Sequence, residues 1–121
     1  MTTAGGCRLT LHVLDVAAGR PAAGVAVTLA RVGDGTADDG LAAATTDDDG
    51  RAGGGAAGWD ALEPGAHELR YDVGGYFRAT SPPTPTFYDE VPIRFVVGPG
   101  DTHVHLALLL SPWSYTTYRG S

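Results

Sequence analysis

Period-two alternation of apolar residues constrains this chain more than any other feature. In LTLHVLDV (9–16), Leu9, Leu11 and Val13 fall on one face and Thr10, His12 and Leu14 on the other. Side chains of a strand point alternately to its two faces, so the segment reads as a strand with one apolar side. VAVTLARV (25–32) and HELRYDV (67–73) alternate in the same way, and LAAATT (41–46) does so more weakly. VPIRFVV (91–97) carries Pro92 near its start, a position compatible with a sheet edge. THVHLALLLSP (102–112) is the most hydrophobic strand, and WSYTTYRGS (113–121) is rich in strand-favouring residues. Glycine and proline punctuate the intervals: AAGRPAAG (17–24), GDGTADDG (33–40), Asp49-Gly50, the loop-like AGGGAAGWDALEPGA (52–66) and SPPTPT (81–86). GGYFRAT (74–80) is the one place where a short helix fits. Seven or eight short strands and almost no helix predict an all-β, antiparallel β-sandwich.

Neither a repeat nor a linker interrupts the 121 residues, so 1–121 is expected to be one domain, with 1–8 a flexible N-terminal segment. The net charge of −6 comes without any Lys/Arg cluster, which argues against a nucleic-acid or anionic-membrane partner. It leaves room for an anionic small substrate, because one or two local arginines can override a diffuse negative field. The single cysteine, Cys7, can form no internal disulfide and is expected to be a small buried residue or part of a frayed end. MTTAGGCRLT lacks the charged-then-apolar pattern of a secretory signal, and no apolar run approaches the roughly 18 residues of a membrane span. A soluble, cytoplasmic protein is expected. The apolar, two-sided LALLL stretch (106–110) predicts a strand buried on both faces, part of it against another subunit.

The candidate chemistry lies on the histidines. His103 and His105 are two apart on one strand and share a face with Ala107 and Leu109. His12 occupies the polar phase of the first strand. Three readings of this set stand open: a metal site of His12, His103 and His105; general acid–base catalysis by imidazoles assisted by an arginine that stabilises an oxyanion; and solvated or hydrogen-bonded strand histidines. His67 has no such company and reads as structural. Asp47-Asp48-Asp49 lacks the spacing of a calcium loop and reads as a solvated turn into Gly50, with Arg51 directly after it.

LHVLDVAAGRPAAGV, TDDDGR, HVHLALLLSP and the terminal YRGS together resemble the enzyme branch of the transthyretin-related family, the 5-hydroxyisourate hydrolases. The resemblance runs from Leu9 to Ser121. It implies a transthyretin-like (prealbumin-like) sandwich of two four-stranded sheets with one short helix, placed at Gly75–Ala79. It implies a homotetramer, a dimer of dimers, with active sites at the dimer–dimer interface. The implied reaction is hydrolysis of 5-hydroxyisourate to 2-oxo-4-hydroxy-4-carboxy-5-ureidoimidazoline in urate degradation, with no metal and no organic cofactor.

By the same resemblance, His12, Arg51 and His105 are catalytic. His103, Tyr118, Arg119, Gly120 and Ser121 contact substrate together with His12 and Arg51. The family's hormone carriers lack this trio and the YRGS ending. His105 and His12 would act as general base and acid, in an order that the sequence does not decide, and Arg51 would hold a carbonyl oxygen. Tyr118 would contact a planar ligand, and Arg119 would pair with a carboxylate or span backbone carbonyls. Gly120 would permit close approach, and Ser121 would supply a hydroxyl and an α-carboxylate. Crowding of protonated histidines in the cleft would keep at least one neutral. This chain departs from the family at Ala107, where the enzymes often have proline, at Trp113-Ser114-Tyr115, where aromatic-Gly-Tyr is common, and in its glycine-rich loop 52–62.

Overall fold

The alternation survives in three dimensions. In a computed structural model, residues 6–38, 42–53, 55 and 58–121 are described. Most of the expected flexible segment, residues 1–5, lies outside them. Cys7 is already docked, buried and paired with Leu62 through two backbone hydrogen bonds of 2.9 and 2.8 Å.

Ten strands and one helix follow among the described residues: β1 (Arg8–Asp15), β2 (Arg20–Pro21), β3 (Ala26–Gly33), β4 (Thr36–Ala37), β5 (Ala42–Thr45), β6 (Arg51–Gly53), β7 (Gly65–Asp72), α1 (Val73–Arg78), β8 (Glu90–Val97), β9 (His103–Leu110) and β10 (Tyr115–Gly120). Eight of these build two four-stranded sheets, β6-β1-β9-β10 and β5-β3-β7-β8. The two-residue strands β2 and β4 add a fifth to each. Pro92 sits on β8, which pairs with β7 alone among the described strands, so its missing N–H is harmless at an edge.

One core cluster joins the sheets. From the first come Leu9, Leu11, Val13, Val104, Leu106, Leu108 and Leu110; from the second, Val27, Leu29, Leu69, Tyr71, Val91 and Val97. Trp59 and Phe77 join the same cluster, and both are essentially inaccessible. Burying one such large apolar side chain contributes about 1.5–3 kcal/mol, so the inward phase of each strand is strongly fixed. On β9 the LALLL stretch divides as expected: Leu106, Leu108 and Leu110 enter the core, while Ala107 and half-buried Leu109 lie on the outer face.

Three features differ from the expectation. The sandwich is not wholly antiparallel, because β1 and β9 pair in parallel from Arg8↔His103 to Asp15↔Leu110. A parallel pair needs a long crossover, and the whole second sheet supplies it. Residues 51–53, at the start of the expected loop, form β6 against β1. Three residues ending in glycine are too short to show a period. The helix begins two residues early, at Val73, because the Asp72 carboxylate accepts the Gly75 N–H at 2.9 Å and caps it.

Two polar ties lock the frame. Asp15, buried at the end of β1, accepts from the Tyr76 hydroxyl at 2.8 Å and the Ala18 N–H at 2.9 Å, which binds α1 to the first sheet. Burial and the Asp15 carboxylate push the Tyr76 phenol up to about 12. On the outer face of the second sheet, Glu68 accepts from Arg70 Nε at 2.7 Å and Arg94 Nε at 2.8 Å. Arg70 then holds the Asp38 carbonyl and Arg94 the Gly35 carbonyl, so the carboxylate organises the β3–β4 hairpin.

Hydrogen bonds from Arg70 and then Arg94 hold the Glu68 carboxyl below its ordinary range. A depressed carboxyl stabilises the fold above the unfolded pKa of about 4.3 and loses that contribution as pH falls through the folded value. Glu68→Gln is expected to lower stability at pH 7 by about 1 kcal/mol, since water screens the half-exposed Arg94. In urea titrations the gap between the two proteins should close as the pH is taken below 4. A gap that is independent of pH would show that the charge of Glu68 is not what matters.

Candidate active site

Strand registers alone gather the predicted residues. The β1–β9 register sets Arg8 beside His103, Thr10 beside His105 and His12 beside Ala107. The β1–β6 register brings Arg51 opposite His12, and the β9–β10 register brings Gly120 opposite His105 and Tyr118 opposite Ala107. Cross-strand partners share a face. The neighbours Leu9, Leu11, Val13, Val104, Leu106 and Leu108 point into the core, so this polar set is left on the outer face of the first sheet.

The turn before Arg51 is built by the acidic triplet. Asp47 Oδ1 accepts from the Asp49 N–H at 2.9 Å and the Arg51 N–H at 3.0 Å, and the Asp47 N–H donates to the Arg51 carbonyl at 2.9 Å. Gly50 closes it at φ +75°, and a Cβ there would strike the Val13 carbonyl. The Asp49 carbonyl in turn accepts from His12 Nε2 at 2.9 Å. That contact requires the proton on Nε2 and leaves Nδ1 with the lone pair in neutral His12. No hydrogen bond or ion pair to a described residue occupies the Arg51 guanidinium.

A cleft of about 680 Å³ opens over this face, lined among others by Arg8, Thr10, Arg51, His103, His105 and Ser121. Thr10 Oγ1 lies 2.7 Å from His103 Nε2 and 2.8 Å from His105 Nδ1, joining the two rings through one hydroxyl. Burial, and after it the charges of Arg51, His103 and His12, lower the pKa of His105. The ring is therefore neutral at neutral pH and able to accept a proton. Gly120 lies against it: a Cβ at 120 would stand 2.6 Å from His105 Cδ2. Among the described residues no three His, Cys, Asp or Glu side chains converge as a metal-ligand set.

Of the residues expected at the site, His103, His105, Arg51 and Ser121 line the cleft. His12 and Gly120 share its face and flank Arg51 and His105. Tyr118 lies on that face beside Ala107 and is 55% exposed. Arg119 has the opposite phase. It pairs with Asp101 at 3.4 Å and donates to the His103 carbonyl at 3.3 Å, a carboxylate and a backbone carbonyl held together, and it does not line the cleft. His67 is structural, buried against Phe95 with Nε2 donating to the Glu63 carbonyl at 2.8 Å. Thr10 and Arg8 were not singled out by sequence reasoning. Their signal was parity: both share the strand phase of His12. Of the glycine-rich loop, residues 54, 56 and 57 lie outside the described set, while Ala52 and Gly53 line the cleft and Trp59 fills the core.

Residues 9–120 match the HIUase/Transthyretin family. A 5-hydroxyisourate hydrolase of Ralstonia nicotianae is 44% identical over 116 residues, 94% of this chain and 98% of that protein. The solved structure of Klebsiella pneumoniae 5-hydroxyisourate hydrolase superimposes with a TM-score of 0.78 at 33% identity, covering 95% of this chain and 99% of that one. Sea bream transthyretin, solved in complex with thyroxine, gives a TM-score of 0.81 at 29% identity over 94% of this chain and 95% of its own. Sequence and fold agree over nearly the whole length, and the chain belongs to the HIUase/Transthyretin family.

Proposed function

We propose that this protein is a hydrolase that opens 5-hydroxyisourate to 2-oxo-4-hydroxy-4-carboxy-5-ureidoimidazoline in urate degradation. One observation carries the reading: in a chain this similar to 5-hydroxyisourate hydrolases, a neutral imidazole, His105, and a guanidinium that no described residue pairs, Arg51, line the same cleft. The substrate is planar, rich in carbonyls and already electrophilic. Catalysis needs a base for water and a cation for the developing oxyanion.

His105 takes a proton from water as the water oxygen bonds to the ring carbonyl carbon. Arg51 receives the oxyanion on its planar fork, which suits a carbonyl oxygen better than a lysine would. The ring carbon–nitrogen bond then breaks, and His12, entering the step as an imidazolium with its second proton on Nδ1, delivers that proton to the departing nitrogen and returns to the neutral ring held by the Asp49 carbonyl. His103 and Ser121 border the substrate, and Tyr118 offers a ring face and a hydroxyl. Arg119 acts from outside the cleft by fixing the tail to Asp101 and to the His103 carbonyl. Neither metal nor organic cofactor takes part in this scheme.

The whole of 1–121 serves as one hydrolase domain. It assembles as a homotetramer, a dimer of dimers, with the clefts at the dimer–dimer interface. Support for assembly comes from the large apolar side chains left at the surface: Phe87, Val96, Trp113 and Tyr118 are each more than half exposed. The cytoplasmic location expected from the sequence belongs to the same proposal. No described helix is long and apolar enough to cross a membrane.

Freshly prepared 5-hydroxyisourate, followed by ultraviolet absorbance, should decay faster with the full chain, and the acceleration should vanish when residues 118–121 are removed. No acceleration by the full chain would leave a carrier of flat ligands on the same frame. His105→Ala is expected to lower turnover by about 10²–10⁴-fold while the tetramer persists in sedimentation. Near-normal rates would remove His105 from the chemistry, and dissociation would make its role structural. The working base is the neutral ring, so activity should fall with acid only as pH passes through the lowered His105 value. The acid limb of kcat/KM should therefore lie below the ordinary imidazole value. A limb above it would assign the base to another group.

A further inference from the structure

A hydroxyl has one proton to donate, and Thr10 Oγ1 faces two ring nitrogens, His103 Nε2 at 2.7 Å and His105 Nδ1 at 2.8 Å. When both rings are neutral, Thr10 donates to one nitrogen and accepts an N–H from the other. The tautomers of the two rings are thereby coupled. His105 spends Nδ1 on Thr10, so Nε2 is the nitrogen left to meet water. For Nε2 to carry the lone pair, Nδ1 must carry the proton and donate it to Thr10. The Thr10 proton then points to His103 Nε2.

The surroundings keep the His105 ring neutral. Burial acts first and the Arg51 cation from β6 next, and Gly120 from β10 lies against its ring carbon. His103 is exposed and His105 is half-buried, so an imidazolium is better solvated at 103 than at 105.

We propose that Thr10 and His103 form a proton exit for His105, with Thr10 as the residue that sets its tautomer. Used in the reaction, the exit rests on the hydrolase reading above. When His105 Nε2 gains the proton of water, its Nδ1–H passes to Thr10 Oγ1, and the original Thr10 proton passes to His103 Nε2. Two N–H or O–H bonds break along the relay and two form. The net result is a neutral His105 with its proton on Nε2 and a protonated His103 at the solvent, which hands the proton to buffer; loss of the Nε2 proton to water and return of a proton along the same path restore the resting Nδ1–H tautomer. His103 is thus more than a wall of the cleft, and Thr10 is a positioning residue.

The experiment pairs ring ¹⁵N NMR of the substrate-free tetramer with buffer-dependent kinetics. In wild type and Thr10→Ser, His105 should be the Nδ1–H tautomer; in Thr10→Val it should move toward Nε2–H, which free histidine prefers. Thr10→Val and His103→Gln should each lower kcat by about tenfold or more with little change in KM, and added imidazole buffer should restore part of the loss. Thr10→Ser should recover most of the rate. His103→Gln keeps an acceptor for the Thr10 hydroxyl but cannot carry a proton, which separates the exit from simple ring orientation. An Nε2–H tautomer in wild type overturns the proposal without reference to substrate. So does a His103→Gln enzyme with a wild-type kcat that is insensitive to buffer. If the full chain fails to accelerate 5-hydroxyisourate decay, the hydrolase reading falls, and the tautomer measurement still decides the role of Thr10.

Discussion

The parallel register of β1 and β9 is the constraint on which the rest depends. Both strands alternate with period two, and the register holds their alternations in phase over all eight residues of each. Leu9 with Val104, Leu11 with Leu106 and Val13 with Leu108 turn inward together, so Thr10 with His105 and Arg8 with His103 must turn outward together. A slip of one residue would send the imidazoles into the core and the leucines to water. The hydrophobic effect thus positions the chemistry: the groups that could act on a substrate are set by the groups that cannot bear solvent.

Neighbouring strands add to this face without disturbing it. β6 is three residues long, yet it delivers Arg51, because the Asp47 carboxylate and the left-handed Gly50 bend the chain back onto Val13. The same acidic triplet leaves the Asp49 carbonyl where His12 must donate to it, which fixes that ring as well. Acidic residues therefore build the cleft wall, with one Asp47 oxygen holding two backbone N–H groups.

Much of this was legible in the chain. Alternation found Leu9, Leu11 and Val13 as core and the His103–His105 pair as one face, and motif resemblance joined His12, Arg51 and His105. What could not be read depends on partners distant in sequence. Nothing local in LTLHVLDV says that its neighbour runs parallel. A threonine in a strand is ordinary until a register sets it between two imidazoles. The glycines after Arg51 hide a short strand because glycine carries no side-chain period. Arg119 shows the opposite case. Its parity against Tyr118 and Gly120 was available, and it already placed the guanidinium on the face away from the cleft.

That parity explains the ending of the chain. β10 pairs Gly120 with His105 and Arg119 with Leu106, so consecutive residues do opposite jobs. Arg119, on the face away from the cleft, reaches Asp101 and the His103 carbonyl and clamps the strand to the turn before β9. Gly120, having no side chain, lets the clamped strand press against the His105 ring, and Ser121 is then carried into the cleft wall. Any side chain at 120 would push the ring away from Thr10 or push β10 off β9. The tail is a brace for His105, and its order of residues follows from the two-residue period with which the sequence begins.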